Sequence, residues 1–324
     1  MKRLMTSKGL FGGTTLGVVA ILVLLPLVLP SATLATEIVI FAMAALACNL
    51  LLGYGGLLSF GQGLFFGAGS YLSAIAMIHG GVGLIVALLI AIVAGALIAT
   101  FVGMLSIRRT GIYFVMLTLA FSQTGYFLAY TLSKWTGGDN GLLDVPRPAL
   151  GLFGFDLIDL KGADAYYVFV AVIFLAVYVG ARRVIDSPFG STLVAIRENE
   201  SRASAVGFDT RHFKMLAFTL SGAVTALAGA LYGMLINYVP LDNIAMAMSE
   251  NIVIMTVIGG TGSLIGSLLG AGTLVLMGDF LSAIWPRWPL LLGVLLILIV
   301  VFLRGGLWGG VESLIGRLTR KDEA

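Results

Sequence analysis

From Leu10 to Pro30 the chain carries no charged residue, and comparable apolar runs recur as far as Leu303. A bilayer core takes about 20 apolar residues to cross as a helix. Only 11% of the residues are charged, against roughly a quarter in a soluble domain, too few to coat a water-facing surface. Outer-membrane barrels are built from turn-punctuated alternating segments of about ten residues; these runs are longer and continuous. The expected fold is an all-α polytopic membrane protein, a single transmembrane domain over residues 1–324.

Ten crossings are expected: Phe11–Leu29, Thr36–Leu52, Leu57–Ile78, Leu84–Ile107, Ile112–Leu132, Tyr166–Val184, Phe213–Ile236, Ser249–Ile258, Leu264–Ala283 and Leu290–Leu303. The first follows Lys2, Arg3 and Lys8 as a signal peptide would, but it is too long for such a segment and reads as a retained span. The eighth is too short to cross alone at about 1.5 Å per residue, and Gly259, Gly260 and Gly262 break it. Basic residues collect on the cytoplasmic side. With both termini inside, all but Lys134, Arg147, Lys161 and Arg287 of the 19 Lys and Arg fall inside. The net charge of +3 does not point to nucleic acid.

Two connections stand out. Residues 134–165 form a long outer, periplasmic loop rich in Gly, Pro and Asp, where turns and a short hairpin are expected. Residues 186–212 are polar and helical in pattern. Ser187 with Pro188 makes a helix start, Asn199 caps a second short helix, Gly207 ends it in the left-handed conformation, and Asp209 caps the next span. Two charged helices with a bend therefore sit at the inner face, carrying Arg197, Glu198, Glu200 and Arg202. Connections of this kind are usually about 4–6 residues, so this insert exceeds a plain linker.

Glycines are abundant, 43 in all. GGLLSFGQGLFFGAG and GGTGSLIGSLLGAG look loosely alike, and internal repeats are common in transporters. Polar residues inside spans are functional candidates by default: Asn49, Ser59, Gln62, Ser122, Gln123, Asn237, Glu250 and Asn251. Ser59, Gln62, Asn49, Gln123 and Asn251 are the candidate substrate pathway, with Ser59 and Gln62 foremost because glycines around them free the backbone to line a cavity. Interhelical hydrogen bonding is the alternative for each. The single cysteine, Cys48, excludes an intramolecular disulfide and a Cys-based metal site. His79 and His212 stand apart, no catalytic or metal constellation is present, and Gly259–Ser263 lacks the lysine of a phosphate-binding P-loop.

The insert resembles the coupling segment of ABC importer permeases, with Glu200-Ser201-Arg202-Ala203 in place of the stricter acidic-Ala-Ala run and Gly207 as its glycine. SPFGSTLVAIRENESRASAVGFDTRHFKMLAFTLSGAVTALAGALYG, NLLLGYGGLLSFGQGLFFGAGSYLSAI and VIGGTGSLIGSLLGAG are similar to the Liv-type branched-chain amino acid permeases, on the LivM rather than the LivH side, over about Ile38 to Gly310. The resemblance implies a bacterial inner-membrane importer subunit, not itself an enzyme. Its implied partners are a sister LivH-like permease, two cytoplasmic ATPase subunits and an external amino acid binding protein. No cofactor is expected in this chain; ATP and Mg would be held by the ATPases. Pro188, Gly190, Arg197, Glu198, Glu200, Arg202 and Gly207 become the ATPase-coupling residues. Urea or short-amide permeases of the same family are the alternative cargo class. An ion-coupled secondary transporter is the alternative from another class, and it would require buried carboxylates in mid-span.

Overall fold

The computed structural model describes residues 13–147, 150–152, 155–158, 160–285, 287–302 and 305–311. Along them run α1 (Gly13–Val28), α2 (Ala32–Asn49), α3 (Gln62–Gly80), α4 (Leu84–Ser106), α5 (Ile112–Thr131), the single turn α6 (Ser133–Thr136), α7 (Ala163–Ile185), α8 (Pro188–Glu198), α9 (Glu200–Ala205), α10 (Thr210–Ile236), α11 (Met246–Gly259), α12 (Leu264–Ile284) and α13 (Trp288–Phe302). The expectation of an all-α chain needs one amendment. Strands β1 (Leu150–Leu152) and β2 (Phe155–Ile158) pair antiparallel in the outer loop, the hairpin its turn residues predict.

Among the described residues, seven helical segments are long and apolar enough to cross a membrane: Ala32–Tyr54, Gln62–Gly80, Leu84–Ser106, Ile112–Thr131, Ala163–Ile185, Thr210–Ile236 and Leu264–Ala283. The other three expected crossings fall on shorter apolar helices, Thr14–Val28, Met246–Gly259 and Pro289–Ile299. The third expected span starts late. Residues 55–61 are not helical, and Gly56 has a φ of +66° that other residues rarely adopt. The basic residues Lys2, Arg3, Lys8, Arg304, Arg317, Arg320 and Lys321 lie outside the described residues.

The helix with apolar residues on every side is the one enclosed on every side. From Leu34 to Leu51, α2 and its extension are buried except at Glu37. They pack against α7, α10, α11 and α12. The extension, Leu50–Tyr54, is a π-turn, a form that recurs at functional positions in helices.

Small residues set the tightest crossing. On α4, Ala87, Ala91, Gly95 and Ala99 are spaced by four and face inward, while Leu89, Val93, Leu97 and Phe101 form the opposite, exposed stripe. The inward stripe lies on α10: a Cβ at Gly95 would run into Ala226, and one at Gly222 into Ala99. The other side of α10 meets α3, where a Cβ at Gly69 would strike the Ala226 carbonyl and one at Gly229 the Phe66 carbonyl. In lipid, association rests on such packing rather than on expelled water.

The outer loop is docked, not free. Leu142 and Val239 form a β-bridge. Asn237, at a φ of +54°, donates to the Val145 carbonyl at 3.0 Å. Arg147 donates to the Met234 carbonyl at 2.5 Å and lies 5.2 Å from the centre of the Tyr166 ring.

Candidate functional site

The polar insert is helical, and two of its three expected N-caps form. Ser187 stands at the start of α8 with Pro188 in the first turn, although its hydroxyl donates back to the Val184 carbonyl (2.6 Å) rather than capping. Asn199 accepts from the Arg202 amide (2.9 Å) and starts α9; Asp209 accepts from the His212 amide (3.2 Å) and starts α10. Gly207 turns the chain between them at a φ of +100°. Gly190 lets α8 lie against the end of α7, since a Cβ there would strike Ile185.

One face of this helix pair is anchored. Thr192, Leu193, Ile196 and Ala203 are buried. Glu200 binds the buried Lys214 at 2.5 Å and accepts from the Thr210 hydroxyl at 3.3 Å, so α9 is tied to α10 by charge. Arg197 is directed back into the protein. Its guanidinium donates to the Gly53 carbonyl in the π-turn, and its stem lies on Gly56, where a Cβ would meet it at 2.7 Å. The other face is open. Glu198, Arg202 and Gly207 are exposed there, with Val206 and Phe208 as exposed apolar neighbours. Of the expected coupling residues, Pro188, Glu198, Arg202 and Gly207 thus face outward, Gly190 and Glu200 hold the insert to the bundle, and Arg197, also exposed, reaches from the surface to the Gly53 carbonyl.

Behind Arg197 the π-turn is stitched to the loop between α11 and α12. The Asn49 amide donates to the Ser263 carbonyl (2.7 Å), the Gly260 carbonyl (3.4 Å) and the Ser267 hydroxyl (3.3 Å). Its oxygen accepts from the Gly262 amide at 2.8 Å. The Tyr54 hydroxyl donates to the Gly262 carbonyl at 2.8 Å. Arg197, the π-turn and the loop between α11 and α12 are thus joined by consecutive hydrogen bonds.

The expected pathway residues scatter. Gln62 is fully buried, donating to the Ser221 hydroxyl (3.1 Å) and accepting from the Thr225 hydroxyl (2.7 Å), both on α10. Ser59 is buried and accepts from the Gly61 amide at 3.1 Å. Asn49, Gln62 and Ser59 therefore all have protein partners. Asn251 is half-buried on α11, and Gln123 is exposed on α5.

Three groups escape sequence reasoning. Ser249 accepts from the Gly63 amide (2.8 Å) and donates to the Phe60 carbonyl (2.7 Å), bridging the start of α11 to the start of α3. Lys214, which counts only as an inner cation in the sequence, is a buried ion-pair partner. Glu37, a half-buried carboxylate within α2, lies in electrostatic reach of Asp279 on α12. Its position a residue inside the expected second span was the available signal. Among the described residues, no group of three or more His, Cys, Asp or Glu is placed to hold a metal ion.

Comparison with known proteins gives a consistent answer. A family model described as branched-chain amino acid transport system / permease component matches residues 31–301. The high-affinity branched-chain amino acid transport system permease protein LivM of Escherichia coli K12 is 28% identical over 293 residues, covering 85% of this chain and 69% of that protein. LivM of Salmonella typhimurium is 27% identical, covering 86% and 69%. The autoinducer 2 import system permease protein LsrC of an Enterobacter species is 31% identical over 206 residues, covering 60% and 55%. No solved structure matches this chain.

Proposed function

This chain belongs to the branched-chain amino acid transport permease family, and from that premise we propose that it is the LivM-like membrane subunit of an ATP-driven importer for leucine, isoleucine and valine. It works beside a sister LivH-like permease. An external binding protein delivers the amino acid at the outer face, where residues 134–165 offer a docking surface. Two cytoplasmic ATPases supply the force and hold ATP and Mg; this chain holds neither and is not an enzyme. Residues 1–324 act as one transmembrane domain of ten crossings in a bacterial inner membrane, both termini inside.

The observation that carries the reading is the two-sided insert. Its open face presents Glu198, Arg202, Val206 and Phe208, a mix of charge and apolar surface suited to a partner protein. Its anchored face sends Arg197 to the Gly53 carbonyl at the foot of the central helix. Closure of the ATPases presses on α8 and α9, the push passes through Arg197 to the π-turn, and the bundle changes between outward- and inward-open states. A partner shifts such a balance only through different affinities for the two states, so the contact of the insert with the ATPases must differ between them.

The test is uptake of labelled leucine by the complete complex in vesicles, measured alongside ATP hydrolysis. Gly207→Pro, and charge reversal at Arg197 and Glu200, are expected to leave the protein inserted and hydrolysis running while uptake is lost. Normal uptake in these variants would remove the insert from the mechanism.

A further inference from the structure

A cavity of about 310 Å³ lies between the end of α4 and the start of α10, at the end of the bundle that carries the insert. Arg108, in the turn after α4, lines one side of it; Arg211 and His212, in the first turn of α10, line the other. Two guanidiniums thus share the cavity with one carboxylate, that of Asp209. That carboxylate already accepts from the His212 amide at 3.2 Å as the cap of α10. Among the described residues neither arginine has an ion pair or a hydrogen bond. Both are exposed. Lys214, one turn further along α10, is already paired with Glu200. The cavity therefore keeps positive charge that no side chain of this chain neutralises.

The surface that leads away from the cavity is apolar. Met104 lines the cavity, and Leu97 and Val93 precede it on the same face of α4, seven and eleven residues back; all three are exposed. On α10, Leu216 and Leu220 follow His212 at intervals of four and are exposed as well. Between these two stripes the helices are closed on each other, with the Thr100 and Thr219 hydroxyls hydrogen-bonded at 2.9 Å. A Cβ on Gly103 would lie 2.8 Å from the Met215 sulfur, so the floor of the cavity is tight too. Both helices therefore present apolar side chains along the span and a cation at its end. A free anion would use only the cations. A phospholipid, with a charged head and apolar tails, uses the whole surface.

We infer that this cavity holds the phosphate of an anionic phospholipid, with Arg108 and Arg211 on its oxygens and its acyl chains along the exposed stripes of α4 and α10. Guanidinium is suited to phosphate because it offers two parallel N–H donors. Basic pockets between membrane helices are a recurrent setting for lipid headgroups. The bound lipid would join the end of α4 to the first turn of α10, one turn from the Lys214–Glu200 pair that ties the insert to the bundle. The site requires only that this chain spans a membrane, whatever cargo it carries.

The probe is phosphatidylglycerol with a photoreactive group in one acyl chain, added below saturation to the full-length chain purified with its partner subunits in detergent. Crosslinked residues are mapped by mass spectrometry. Labelling is expected on α4 around Leu97–Met104 and on α10 around Leu216–Leu220, and much less with phosphatidylcholine carrying the same group. Each basic residue at a lipid surface is worth about fivefold in binding, so Arg108→Gln combined with Arg211→Gln is expected to lower labelling there about twentyfold. Asp209→Asn keeps a capping side chain but removes the competing carboxylate, and is expected to raise labelling about fivefold. Both arginines are exposed and unpaired, so their replacement leaves the packing intact, and co-purification of the partner subunits checks this. Labelling unchanged in the double variant would overturn the site; a partner subunit lost at the same time would make the cavity a protein contact instead. Equal labelling by phosphatidylcholine would also overturn it, as would displacement of the lipid by excess inorganic phosphate, which would leave a site for a free anion.

Discussion

Residues 55–69 and 259–272 are strings of glycine, serine and leucine that look alike, yet they start their helices in opposite ways. α12 is capped by its own Ser263, which accepts from the Gly266 amide three residues on. α3 has no local cap. Its approach is held by side chains from elsewhere: Ser249 takes the Gly63 amide and Thr118 the Phe60 amide. The first arrangement is complete in the local chain; the second exists only when α5 and α11 have docked. Similar composition can therefore yield a self-sufficient helix start or one that waits for partners, and the waiting one faces the interior.

Glycine itself gives the sharpest way to break this comparison. Gly69→Ala and Gly270→Ala would each drive a Cβ into a backbone carbonyl, that of Ala226 or of Met255. Each is expected to destabilise by more than about 3 kcal/mol, at the upper end for overpacking. The readout is thermal unfolding in detergent and the amount of protein reaching the membrane. Next is Asn49→Ala, which unpairs the Gly260 and Ser263 carbonyls and the Gly262 amide and is expected to cost about 2–3 kcal/mol. Unchanged melting would mean that water replaces the amide.

The two caps give the direct contrast. Ser249→Ala is expected to cost about 2 kcal/mol, because a buried donor and a part-buried acceptor are both orphaned. Ser263→Ala is expected to cost about 1 kcal/mol, the ordinary value for a lost helix cap. Equal losses would remove the distinction between the two helix starts. The smallest effect has the opposite sign. Gly272 has only Ile38 nearby, at 3.8 Å, so Gly272→Ala is expected to stabilise by about 0.5 kcal/mol through helix propensity.

Much of the architecture was legible because its causes are local. Apolar length marks the spans. Ser187, Asn199, Gly207 and Asp209 stand where the insert starts, bends and ends. The expected third span still began five residues early, since Leu57–Phe60 is apolar enough to pass for helix. The polar residues were harder. Asn49 and Gln62 stand in the sequence as pathway candidates; what it does not show is that their partners are the Gly260 and Ser263 carbonyls and the hydroxyls of Ser221 and Thr225. Nothing local in the sequence marks such distant partners. The Gly53 carbonyl that receives Arg197 is equally silent, since every residue carries a carbonyl.

Transfer of apolar side chains out of water and the capping of helix ends act over a few neighbouring residues, so the sequence alone determined a helical membrane bundle with a structured polar insert. Whether a buried polar group closes a hydrogen bond or stays open depends on which backbone another helix brings to it. The tertiary structure alone therefore decided that Asn49 and Gln62 have protein partners while Ser122 has none among the described residues, and that α3 and α11 begin against each other.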